Sequence, residues 1–202
     1  MYSKLKNAYF CENFALNIYN EPLQKCPDRA TDTNGSWMSD GTCSEIGGGV
    51  HQICYRNIGT NANQFSKNTG QPDWSTGRGK QNHCVCLGAW ALYKKKIDDN
   101  KITSDGSSSR LKCNAIPNTV FDSGYVDSFS RWNNLEESLQ IVNGVEGIVE
   151  ECYRKAKKQS QKKELVDNYC KLSKKVPALQ NRPMYYSFCS KKYKSTPSIP
   201  NC

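Results

Sequence analysis

Eleven cysteines in a chain of 202 residues limit what this sequence can fold into more than any other feature. They are Cys11, Cys26, Cys43, Cys54, Cys84, Cys86, Cys113, Cys152, Cys170, Cys189 and Cys202. Such a density belongs to folds stapled by disulfides or to metal sites, because a reduced thiol adds little to a core. The count is odd, so a fully oxidised chain keeps at least one thiol free or shares it with another chain. Oxidation normally follows export, yet Met1-Tyr2-Ser3-Lys4-Leu5-Lys6-Asn7-Ala8 has no apolar stretch of a secretory signal. Three routes stay open: an export segment already removed, oxidation without export, or cysteines that hold metal.

Hydrophobic residues make up 37% of the chain and the mean hydropathy is −0.75, a lean supply for a core. Cross-links are expected to provide what burial does not, about 2–4 kcal/mol per bridge. No run approaches the ~18 apolar residues of a membrane span. The net charge of +9 is concentrated: Arg154 to Lys194 holds 13 Lys or Arg against Glu164 and Asp167. That surplus of 11 leaves the rest of the chain at −2. A cationic field of this size attracts an acidic protein, an anionic lipid surface or nucleic acid, although scattered lysines also make a plain solvated face. Lysine outnumbers arginine here, which argues against base-specific readout.

From Cys11 to about Lys96 the chain is rich in Gly, Asn, Ser and Thr, with turn signals at Asn34-Gly35, Asp40-Gly41 and Ser75-Thr76-Gly77-Arg78-Gly79. Short strands and loops are expected, with a helix near 60–66. The run Cys84 to Tyr93 suits a buried strand, with a short helix as the alternative. Residues 97–112 are polar and turn-prone and read as a linker. Beyond them, Leu135, Leu139, Val142, Val145, Ile148, Val149 and Cys152 recur at threes and fours, predicting a helix over 135–158. Gly144 and Gly147 weaken it and point to close packing. A second helix over 162–175 places Leu165, Tyr169 and Leu172 on one face, and Pro177 stops it. Cys152 and Cys170 could bridge this helical hairpin or remain buried thiols. The tail from Pro183 to Cys202 is expected to be extended, tied down through Cys189 or Cys202 or reaching another chain.

The chemistry-bearing cluster is His51, Cys54, His83, Cys84 and Cys86. Zinc could be held by His51, Cys54, Cys84 and Cys86, but Cys-x-Cys is a weak metal signal and no Cys-x2-4-Cys knuckle occurs. Disulfides are the larger expectation. No nucleophile elbow, phosphate loop or His-Glu-x-x-His segment is present. Asp73 and Asp40 read as caps and turns. No catalytic residue and no cofactor is expected.

Asn17-Ile18-Tyr19-Asn20-Glu21-Pro22-Leu23-Gln24-Lys25-Cys26, Asp40-Gly41-Thr42-Cys43, Gly49-Val50-His51-Gln52-Ile53-Cys54, Phe65-Ser66-Lys67 and His83-Cys84-Val85-Cys86 follow in order. This series resembles a small uncharacterised domain family of bacteria and algae over about residues 11–95. The chain departs from the family pattern at His83, where an aromatic precedes the Cys-x-Cys, and at Ser39, where an arginine precedes Asp-Gly. The resemblance implies a fold unit and no reaction. The lysine- and asparagine-rich elaboration also resembles virion proteins of large algal DNA viruses, which implies disulfides formed without export.

The expected architecture is α+β: a disulfide-stapled strand- and loop-rich N-terminal domain over 1–96, the linker over 97–112, and a basic helical hairpin module with an extended tail over 113–202. The expected role is that of a non-enzymatic structural or interaction protein, a minor component of a virion capsid or other large assembly. Its contact surface would be Lys155, Lys157, Lys158, Lys162, Lys163, Lys171, Lys174 and Lys175. Zinc-dependent or enzymatic function and nonspecific nucleic-acid binding are the alternatives. The expected location is the virion, or an oxidising lumenal or organellar compartment reached after removal of a targeting segment.

Overall fold

The computed structural model describes residues 15–44, 51–60, 64–102, 110–129 and 138–190. The fold is α+β, with a stapled N-terminal region built on two short antiparallel strands, β1 (His51–Tyr55) and β2 (His83–Cys86). Cys54 stands opposite Cys84, Tyr55 opposite His83, and His51 opposite Cys86 across an irregularity in the register. Nearly every residue of the pair is buried, the polar Gln52 and His83 included, so burial along the strands does not alternate.

The long buried strand expected over Cys84–Tyr93 ends early. After Cys86 the chain turns into α2 (Leu87–Asp98), because the only β-branched residue of the run, Val85, lies behind it and Leu, Ala and Lys lie ahead. The first turn of α1 (Phe65–Asn68) begins where a helix near 60–66 was expected. Before it, a 3-10 turn at Ile58–Thr60 presses against a second at Thr76–Arg78. A Cβ on Gly59 would come within 2.1 Å of the Gly79 nitrogen, so the approach that fixes Arg78 requires glycine there.

Helix α3 (Ser123–Ser128) is capped by the Asp122 carboxylate. It leads on to α4 (Ser138–Lys155) and α5 (Gln159–Lys175), the hairpin expected from the apolar periodicity; residues 135–137 lie outside the described region. Gln161 Oε1 accepts from the Lys157 and Lys158 amides and starts α5 cleanly. Helices α6 (Pro177–Gln180) and α7 (Pro183–Phe188) follow, each opened by proline at its first position. The extended chain expected from Pro183 is therefore helical up to Phe188, and residues 191–202 lie outside the described region.

One core joins these parts. Ile53, Tyr55, Trp90 and Tyr93 belong to the same buried cluster as Ile141, Val145, Ile148, Leu165 and Tyr169. Leu111, within the stretch read as a linker, is fully buried and donates its amide to the Glu151 carboxylate. The Asn17 side chain is also fully buried. Its Oδ1 accepts from Tyr19 N and its Nδ2 donates to the carbonyls of Pro22 and Asn114. That turn aims Tyr19, whose hydroxyl donates to the Cys152 carbonyl at 2.8 Å.

Among the described residues four disulfides form: Cys26–Cys54, Cys43–Cys84, Cys113–Cys152 and Cys170–Cys189. The bridge considered between Cys152 and Cys170 does not form. Cys152 lies four residues before the α4–α5 turn and Cys170 about twelve beyond it, an offset of roughly 12 Å along the helices, too far for a disulfide. Among the described cysteines only Cys86 is unpaired, a correction to its place among the disulfide candidates. Cys11 and Cys202 lie outside the described residues.

Candidate functional site

Most of the sulfur expected around the strands is tied up in bridges. Cys54 and Cys84 are both consumed in disulfides, so they cannot join His51 and Cys86 as zinc ligands. That proposed ligand set is corrected. The sulfurs of Cys26, Cys43 and Cys54 crowd within 4.8 Å of one another, but they meet as neighbouring bridges, with no thiolate to offer a cation.

Beside the Cys43–Cys84 bridge, a cleft of about 250 Å³ is lined by Cys84, His51, His83, Cys86, Trp74, Arg78 and Ser36, among others. Strand β2 supplies His83 and leads directly to Cys86, which caps α2: its Sγ accepts from the Ala89 amide at 3.4 Å. Opposite, β1 supplies His51. The loop carrying Trp74 and Arg78 is pinned by hydroxyls. Ser66 and Ser75 meet at 2.9 Å, and Asp73 accepts from both Ser66 and Thr76. Asp73 is thus a turn-forming carboxylate, and Asp40, which accepts from Thr42, is another.

His83 is the anomaly of this cleft. It is only 5% exposed, Trp74 stacks on its ring at 4.4 Å, and its Nε2 lies 3.1 Å from Ser36 Oγ. Its Nδ1 has no hydrogen-bond partner. Burial, helped by the positive charge of Arg78 and by His51, drives its pKa down to about 3. Ser36 reaches it from a backbone with φ of 60°, unusual for a non-glycine residue. Burial likewise pushes the Cys86 thiol up, against the pull of the backbone amides at the start of α2. Resting Cys86 is a protonated thiol and His83 a neutral imidazole, a poor pair for nucleophilic attack.

The eight lysines expected to form one contact surface take different roles. Lys155 turns inward to the Leu111 carbonyl and the Glu151 carboxylate, and burial lowers its pKa. Lys158 pairs with Glu21, Lys163 with Asp167, and Lys162 lies 5.0 Å above the Tyr153 ring. Lys157, Lys171, Lys174 and Lys175 are exposed. The cationic face is therefore carried by fewer side chains than the sequence count implies.

Trp74, Arg78 and Ser36 were not singled out by sequence reasoning. Each sits in a turn-rich stretch that reads as ordinary loop, and only folding brings all three to His83. Set against known proteins, the chain matches no family model, no curated protein and no solved structure.

Proposed function

We propose that the protein is a non-enzymatic structural and interaction component of a large assembly, such as a minor protein of a virion capsid. In this reading the disulfides keep a thin-cored body rigid, and its positively charged flank rests on an acidic neighbouring protein. The observation that carries the reading is where the bridges lie. Cys113–Cys152 bolts α4 to the chain that follows the N-terminal half, and Cys170–Cys189 bolts α5 to the end of α7. Both clamps hold the segment that displays Lys157, Lys171 and Lys175. The bridges indicate an oxidising environment, and no helix among the described residues is long and apolar enough to cross a membrane. The neutral, buried state of Cys86 favours this reading over thiol catalysis.

The test is to measure binding to a polyglutamate peptide, duplex DNA and anionic lipid vesicles side by side across a salt series. The proposal predicts binding to the acidic polypeptide that weakens with salt and falls at least about tenfold in a Lys157→Glu, Lys171→Glu, Lys175→Glu variant. Preference for DNA with a steep salt slope, or for vesicles, contradicts it.

A further inference from the structure

The cleft at the start of α2 has a polarity that the interaction role does not use. Among the described residues lining it none is Asp or Glu, while Arg78, His51 and His83 all face it. Arg78 donates to the Asn34 carbonyl and to Thr33 Oγ1 through Nη1. Its Nε and Nη2 remain as donors. The Ala89 amide in the first turn of the twelve-residue α2 meets the sulfur of Cys86, a weak acceptor and a poor substitute for Ser, Thr or Asp as a cap, while the Leu87 amide has the Tyr125 hydroxyl beside it. These donors converge beside an imidazole that is 95% buried and lacks a partner at Nδ1. A buried polar atom without a partner is costly, so an occupant that supplies one is favoured.

We infer that this cleft binds a small carboxylate-bearing molecule, its anion held between Arg78 and the first turn of α2 and its body against Trp74 and His83. A carboxylate gives the Ala89 amide, which lines the cleft, the strong acceptor that sulfur does not, and it pairs with the guanidinium in the planar geometry both groups favour. With Nε2 accepting from the Ser36 hydroxyl, His83 carries its proton on Nδ1, a donor left without a partner in the wall of the cleft. The volume of about 250 Å³ limits the ligand to a compact molecule.

The thiol of Cys86 reports on occupancy directly. The oxidised, native protein is treated with iodoacetate or with iodoacetamide, and the rate of modification of the Cys86 peptide is followed by mass spectrometry. A cationic cleft accelerates the charged reagent, so the iodoacetate-to-iodoacetamide ratio at Cys86 should exceed that of free cysteine by about tenfold. Acetate should slow the reaction, and chloride at equal ionic strength should not. Arg78→Gln should return the ratio to that of free cysteine; the acetate protection needs no variant and stands if that substitution fails to fold. A native Cys86 that reacts with neither reagent, a ratio no greater than that of free cysteine, or equal slowing by chloride overturns the inference.

Discussion

At His83 the protein holds an imidazole where water cannot stabilise its cation. The unfolded chain binds a proton there below a pKa of about 6.5, whereas the folded protein resists it down to about 3. Between those values the unfolded state carries more protons, so stability rises with pH through this window and is lost as pH falls through it. Urea unfolding at pH 7 and pH 5 should show the loss, and His83→Gln should make it shallower. A buried carboxylate behaves differently. Glu146 accepts from Tyr169 at 3.0 Å and from Arg182 at 2.7 Å. Arg182→Ala strands that carboxylate and should cost about 2 kcal/mol in urea titration, less than a fully buried pair because Arg182 is partly exposed. None of these partnerships is visible in the sequence. Glu146 reads as one more charged residue in a helix, and His83 as one more ligand beside a Cys-x-Cys.

Among the elements, α2 and α4 make the most extensive contact, and two glycines on α4 separate packing from propensity. A Cβ on Gly144 would stand 2.6 Å from Ala91 Cβ, while one on Gly147 meets only the flexible Lys94 side chain at 3.1 Å. Trp90 Nε1 also donates to the Gly144 carbonyl at 3.0 Å, which pins the helices together. Gly144→Ala should therefore destabilise by about 1–3 kcal/mol through overpacking. Gly147→Ala should be neutral or stabilising by up to about 1 kcal/mol through helix propensity. Thermal unfolding of the two variants checks the contrast. The helices themselves were legible because the spacing of Leu, Val and Ile on α4 and α5 repeats the helical period. The β2–α2 junction was not, since an apolar run of strand length carries no period that marks where Cys86 ends one element and caps the next. The helix at Pro183 was missed because a proline marks a first helical turn as well as an extended chain.

For the molecule as a whole, the cysteine count revealed the strategy but not the wiring. Spacing placed Cys152 and Cys170 on the inner sides of their helices, as they are, yet their partners Cys113 and Cys189 come from a 3-10 turn and a helix end that only the tertiary fold brings near. Likewise the ordered motifs from Asn17 to Cys86 marked a unit, but not that Asn17 would build the turn that hands Tyr19 to α4. Each bridge ties a loop or helix end to the core and adds to its stability. Replacing Cys113 and Cys152 together by serine should cost about 2–4 kcal/mol, read as a lowered midpoint in urea. The most direct test is a non-reducing peptide map of the native protein after alkylation in denaturant. The account predicts linked peptides for Cys26–Cys54, Cys43–Cys84, Cys113–Cys152 and Cys170–Cys189, with Cys86 recovered as an alkylated free thiol. Alkylation of those eight cysteines without reductant, or stoichiometric metal in place of the bridges, would contradict it.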